Sequence, residues 1–350
     1  QLTPAEAYVL GGAFLIHDTG MALAAYPEGP IALRQDQNWP DIATSILRKN
    51  LGRRPNKAEL SKLDRELELE VIAELLRLRH AKQAKKLATT YWKDPDNNIY
   101  HLIEDLELRN IYGEIIGLIA HSHWWNIEQV KEEFSGLPLL GAPANIGCPL
   151  DWQVDQLKIA CLLRIADAIH LDGRRAPGFL RALRKPSNYA DLHWKFQNRV
   201  TKPALNNDRL VFTSSSFQLG DFLAWWVGYD LLQNADRELR QVDNLLLDLQ
   251  RSYRFAAHSI AGMESPERLP KYIRTEGWMP INAQIRVSDV AALIKTLGGE
   301  ELYGRDVSVP LRELIQNASD AVRARRTLTN KGENWGDVVV RIGKDETGDW

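Results

Sequence analysis

The chain has 350 residues, 44% hydrophobic and 26% charged, with a formal net charge of −2. That is globular composition, long enough for two domains, and its overall charge gives no pull toward nucleic acid or anionic membrane. Two cysteines, Cys148 and Cys161, argue against a disulfide scaffold and fit a reducing cytoplasm; no apolar run approaches the roughly 20 residues of a membrane span, and the start carries no signal-peptide pattern.

Residues 4–27 are apolar with few breakers and predict a helix ending near Tyr26-Pro27. Residues 57–90 repeat Leu, Ile and Val at three- and four-residue spacing between charges, which predicts two amphipathic helices in succession and offers a surface for a homo-oligomer contact. The stretches NIYGEIIGLIAHSHWW (110–125) and DWQVDQLKIACLLRIADAIHLD (151–172) are more apolar and predict core helices, with a turn-rich loop at 136–149 between them. From about residue 185 the character changes. Residues 192–200 and 208–216 have strand composition about a turn at Asn206-Asn207-Asp208, and a Leu-rich helix follows from about 220 to 250. Residues 265–272 read as a linker and 281–287 as a strand. A helix opened by a Ser-Asp cap comes next (DVAALIKTLG), then the helix LRELIQNASDAVRARR and the strand DVVVRIG. Both tryptophan pairs, Trp124-Trp125 and Trp225-Trp226, are expected in core or domain-interface packing. The chain starts without methionine and stops in a strand-and-turn pattern, so both ends are expected to be cut from a longer protein.

Chemistry concentrates first in four short stretches on apolar helices: His17-Asp18, His80, His121 with His123, and Asp167. Each polar group left unpaired there costs several kcal/mol, and one divalent cation would partner them all. A mixed His/Asp set suits Mn, Fe, Co, Ni or Zn better than an all-oxygen Ca or Mg cage, with one or two ions. Each residue also has a bland reading: a His-Asp dipeptide is common, His80 lies in a basic helix, and Asp167 has Arg164 as a local ion partner. Arg174 and Arg175, just past Asp167, carry planar forks suited to phosphate. With Arg181, Arg184 and Lys185 they form the densest basic run of the chain and point to a polyanionic substrate.

Over residues 2–185 this pattern resembles the HD superfamily of metal-dependent phosphohydrolases, a helical bundle with a spaced H…HD…H…H…D signature. FLIHDTGMAL is similar to the doublet segment, LRLRHAKQAKKLA and IIGLIAHSHWW to the following histidine segments, and LLRIADAIHLDGRRAP to the final aspartate segment. TPAEAYVLGGAFLIHDTGMAL and RIADAIHLDGRRAP resemble, more narrowly, the HD variety of bacterial conflict systems, the HD-CE type, implying an antiphage role. The implied metal ligands are His17, Asp18, His80, His121 and Asp167, with Asp18 bridging two ions. His121 and His123 lie on different helix faces; His121 is expected as the ligand and His123 in a supporting or substrate-facing role. The family's first histidine, upstream of the doublet, has no counterpart between Gln1 and His17. The implied activity is metal-assisted hydrolysis of a nucleotide, cyclic nucleotide or nucleic-acid phosphoester, with the ion activating a water. A different class, a non-catalytic HD platform that binds a ligand or partner within an ATP-dependent chaperone-like sensor, is the alternative.

A second constellation sits near the end. Glu313, Asn317 and Asp320 recur at i, i+4 and i+7 and share one helix face. The string ELIQNASDA resembles the N-box helix of GHKL ATPases of the heat-shock-chaperone variety. The resemblance implies Glu313 as general base, Asn317 on the Mg²⁺ that accompanies ATP, and Asp320 beside the nucleotide pocket. The family's adenine-reading turn and lid are expected beyond Trp350. The expected architecture is thus mostly α: an HD-type bundle over 1–185, a β-hairpin and long-helix extension over 186–262, and a linker with the start of an α/β GHKL (Bergerat) fold over 263–350.

Overall fold

In the computed structural model, residues 1–53, 55–143, 147–176, 188–282, 308–329, 331–332 and 335–340 are described. The chain divides into two units, Gln1–Asn282 and Ala283–Trp350.

Thr3 opens the first unit as a helix start. Its hydroxyl accepts from the Glu6 amide at 3.1 Å while the Glu6 carboxylate accepts from the Thr3 amide at 3.0 Å, a reciprocal box ahead of α1 (Pro4–Ile16). Two short helices, α2 (Pro30–Arg34) and α3 (Trp39–Leu51), and the single turn α4 (Lys57–Ser61) lead to the long α5 (Arg65–Leu87). A hairpin, β1 (Tyr91–Lys93) with β2 (Ile99–His101), precedes α6 (Leu106–Ser122); α7 (Ile127–Phe134) and α8 (Gln156–Ile169) follow. Aspartate caps set three of these starts: Asp64, Asp105 and Asp155 accept from the Leu67, Leu108 and Lys158 amides.

The helix cores pack as α5 along α6, α1 against α6 and α8, and α6 against α8. Ile116, Ile119, Ala120, Val9, Ala13, Ala160 and Leu163 fill the space between them and are essentially inaccessible to water. A buried ion pair, Lys158 Nζ to Glu6 Oε2 at 2.7 Å, fastens the start of α8 to the start of α1. Because these two helices have nearly equal length (13 and 14 residues), fastening one pair of ends also sets their C-terminal ends side by side. Glycine sets the spacing elsewhere. A Cβ on Gly117 of α6 would lie 2.0 Å from the Lys85 carbonyl oxygen of α5, so the two backbones touch directly.

The extension starts with α9 (Asn188–Gln197), not the expected strand over 192–200. Its strand-like aromatic content serves packing instead: Phe196 is fully buried and occupies the space a Cβ on Gly228 would take. The turn at Asn207 is where it was expected, with φ of 54°, but it joins β3 (Ala204–Asn206) to β4 (Arg209–Val211). After β5 (Phe217–Gln218) comes α10 (Phe222–Asp248), matching the long helix expected over 220–250. The chain then returns as β6 (Ser259–Ile260), parallel to β4, and β7 (Thr275–Glu276), parallel to β5. Residues 265–272 are no linker, since Leu269 and Ile273 are buried and the Trp225 indole donates to the Ile273 carbonyl at 3.1 Å.

The second unit is described mainly through α11 (Ser308–Thr329), the helix expected from LRELIQNASDAVRARR. Residues 335–340 follow without strand pairing among the described residues, unlike the expected DVVVRIG strand. A strand needs a partner to hydrogen-bond; the other strand expected in this part, 281–287, lies almost wholly outside the described residues, as does the helix expected at DVAALIKTLG. Arg326 donates to the Trp335 carbonyl at 2.5 Å and holds the chain after the helix against its last turn.

Candidate metal centre

The helix α1 ends at Ile16, well before the predicted Tyr26-Pro27, with His17 as its C-cap. The chain then enters a 3₁₀ turn, Thr19–Met21, laid on α5. Gly20 makes that possible: a Cβ there would lie 2.3 Å from the His80 carbonyl oxygen. The early end of the helix therefore carries Asp18 directly over His80. Each remaining polar residue is delivered by a buried helical stripe. His80 continues Ile72 and Leu76 on α5, His123 continues Ile116 and Ala120 on α6, and Asp167 continues Ala160 and Leu163 on α8.

Two triads of ligand-type side chains result, Asp18 with His80 and His123, and His17 with Asp18 and Asp167, with the donor atoms of each triad within 4.8 Å of one another. His80 Nε2 is 3.0 Å from His123 Nε2 and 3.7 Å from Asp18 Oδ1, while His123 Nε2 lies 3.8 Å from the same oxygen. On the other side, His17 Nε2 is 3.4 Å from Asp18 Oδ2 and 3.6 Å from Asp167 Oδ1. Asp18 thus turns one oxygen to each triad. Two atoms bound to one ion at about 2.1 Å sit roughly 3 to 3.6 Å apart for angles between 90° and 120°, which is close to the spacing of these donors.

The histidines share a second feature. His17, His80 and His123 each place Nδ1 against the carbonyl three residues earlier, on Phe14 at 2.7 Å, Arg77 at 2.5 Å and Ala120 at 2.5 Å. A carbonyl can only accept, so Nδ1 carries the proton in all three rings. In a neutral ring Nε2 then keeps its lone pair for the centre. The neighbouring carboxylates favour a protonated His17, so a bound ion would displace the Nε2 proton of that ring. Burial alone would lower the His17 pKa, but Asp167 and Asp18 lift it to about 10. Burial likewise resists ionisation of Asp167, yet its contact with His17 and the Arg175 guanidinium hold its carboxyl down at about 2. His123 is shifted down, chiefly by burial.

Of the residues expected as ligands, His17, Asp18, His80 and Asp167 converge here. His121 does not. Its ring lies against Trp125 at 5.0 Å between centroids, and burial followed by the nearby Lys85 charge lowers its pKa to about 4. His123, expected only to support or to face substrate, stands in the ligand position. The periodicity of α6 carried the signal: His123 follows Ile116 by seven residues and stays in line with it, whereas His121 follows it by five and lies on a different face of the helix. The arginines also divide. Arg174 grips Asp172 in a two-pronged pair at 2.8 and 2.6 Å, whereas Arg175 reaches the Asp167 carboxylate at 3.2 Å with its side chain 39% exposed. Arg181, Arg184 and Lys185 lie outside the described residues.

Two neighbours had no expected part in the site. Trp124 is not core; it is 60% exposed and stands edge-on to the His80 ring at 4.9 Å. Arg164 is buried and bonds across to Glu238 of α10, so it is not the partner of Asp167 that the sequence offered. In the second unit, Glu313, Asn317 and Asp320 are exposed on α11, where Asp320 pairs with Arg323 at 3.1 Å. No helix among the described residues is long and apolar enough to cross a membrane.

Against known proteins, a family model, HD-CE, matches residues 1–241. No curated protein and no solved structure matches the chain.

Proposed function

The chain belongs to the HD-CE family, and from that premise we propose that its helical unit is a metal-dependent phosphohydrolase acting on a nucleotide, cyclic nucleotide or nucleic-acid phosphoester. The observation that carries this reading is the convergence of His17, Asp18, His80, His123 and Asp167, with every histidine Nδ1 committed to a backbone carbonyl. Such a donor set fits a divalent transition metal, Mn, Fe, Co, Ni or Zn. When bound, the ion supplies a Lewis acid that acidifies water and neutralises phosphoryl charge. The chain's own residues hold and orient it: the helix-fixed imidazoles leave no choice of tautomer, and Asp18 serves both triads. Arg175 touches Asp167 and keeps exposed surface to offer a phosphate, whereas Arg174 is engaged by Asp172.

The second unit, Ala283–Trp350, is read as a GHKL-type ATPase segment, with Glu313 as general base, Asn317 on the Mg²⁺ that accompanies ATP and Asp320 beside the nucleotide pocket. The support is the ELIQNASDA string on a helix that presents all three side chains on one exposed side. A role in bacterial conflict defence and a cytoplasmic location belong to the same reading. The test is a phosphatase and nuclease panel with Mn²⁺, with and without ATP, comparing wild type with Asp18→Ala. We expect Mn²⁺-dependent hydrolysis that the substitution reduces to background. Metal binding without turnover on any phosphoester favours a ligand-binding platform instead, and activity surviving Asp18→Ala removes the proposed site.

A further inference from the structure

The guanidinium of Arg164 is buried, 4% exposed, and it is held by groups from three elements. Its Nη1 donates to the carbonyls of Ser122 at 2.9 Å, His123 at 3.4 Å and Trp125 at 2.5 Å. Its Nη2 donates to both carboxylate oxygens of Glu238 on α10, at 2.9 and 2.8 Å. Those carbonyls belong to the end of α6 and the turn beyond it. Carbonyls at a helix end lack intrahelical donors, and the helix dipole there favours a cation. Arg164 therefore does for the end of α6 what a C-cap does elsewhere, but from a neighbouring helix and with a full charge.

The residue at that helix end is His123, whose Nε2 faces His80 and Asp18. Arg164 itself sits three residues before Asp167, so one turn of α8 bears both a ligand candidate and the group that fixes another. Glu238 completes the arrangement by neutralising the buried cation. A charge buried without its partner is strongly unfavourable, so the pair acts as a unit.

We propose that Arg164 and Glu238 are positioning residues for the metal centre, setting the place of His123 through the backbone at the end of α6. The inference rests on the metal-centre reading above. Its consequence is that α10, which carries no residue of either triad, controls how well the centre binds its ion. Through Glu238, a displacement of α10 is felt at His123 without touching any ligand.

The experiment titrates metal-stripped full chain with Co²⁺, following the visible absorption of the bound ion, for wild type, Glu238→Gln, Arg164→Lys and Arg237→Ala. Arg237 is an exposed neighbour on the same helix and controls for general effects on α10. We expect Glu238→Gln and Arg164→Lys to weaken Co²⁺ about 10- to 100-fold, the usual scale for groups that orient ligands, and to alter the absorption of the bound ion. Arg237→Ala should titrate as wild type. Glu238→Asp, which keeps the charge but shortens the reach, replaces Glu238→Gln should that variant not fold. Variants that lose thermal stability yet bind Co²⁺ with wild-type affinity and spectrum overturn the inference. Wild type that binds no Co²⁺ instead fails the metal-centre reading beneath it.

Discussion

His17, His80 and His123 reach the centre from three elements, yet each solves the same local problem in the same way. Each imidazole, whether inside a helix or at its C-cap, has its own chain's carbonyl three residues back within reach of Nδ1, and the bond that forms there decides what Nε2 can do. His121 lacks this arrangement; its Nδ1 is buried without a hydrogen-bond partner. We expect His123→Ala to weaken Mn²⁺ binding strongly and His121→Ala to leave it near wild type, as followed by electron paramagnetic resonance of free Mn²⁺. Equal losses in the two variants would contradict the assignment. Asp172 carries a prediction about pH. The Arg174 fork holds its carboxyl at about 2, below the roughly 3.9 of an unfolded chain. A depressed carboxylate pKa stabilises the folded state above the unfolded value, and the contribution is lost as pH falls through the folded one. Asp172→Asn should therefore melt earlier than wild type at pH 7, and the difference should shrink from about pH 4 downward. A difference that is constant across that range would show that charge is not involved.

Among the elements, the decisive steps are two close backbone approaches. Gly20 lets the turn after the His-Asp doublet lie on α5 at His80, and Gly117 lets α6 lie on α5 at Lys85. Gly117→Ala forces a side chain into a fixed carbonyl, and overpacking of this kind costs about 1 to 3 kcal/mol; urea unfolding measures it, and an unchanged midpoint contradicts the packing described. Gly20→Ala should cost more in metal affinity than in stability, because it lifts Asp18 from His80 while leaving the helix cores in place. The same elements mark what the sequence could tell. The stripes of α5, α6 and α8 were legible because burial repeats at helical spacing, and they delivered His80 and Asp167 to the expected site. The end of α1 was misread: His17-Asp18-Thr19-Gly20 interrupts the apolar residues, but Met21–Ala25 resumes them, and the docking of Gly20 on α5 keeps that stretch out of the helix. Residues 192–200 misled for a related reason. Their aromatic and β-branched content suits a strand, but Phe196 finds its place over Gly228, a contact across the fold that no local pattern announces.

At the scale of the first unit, residues 188–282 are more than an appendage to the helical bundle. Tyr253 bonds to Asp155 at the start of α8, and Glu238 bonds to Arg164 in its second half. The extension thereby braces the helix that carries Asp167 at both places. A bound ion should stabilise this whole unit, since binding that favours the folded state adds about 2.7 kcal/mol at an ion concentration 100 times Kd. Wild type should accordingly melt earlier after chelation and recover on adding Mn²⁺, while a melting curve indifferent to chelator and metal would mean the triads hold no ion. The most direct measurement is the metal content of wild type and Asp18→Ala, purified alike and desalted, because Asp18 alone belongs to both triads. We expect wild type to retain a divalent transition metal and Asp18→Ala to lose it; equal metal in the two proteins would contradict the centre described here.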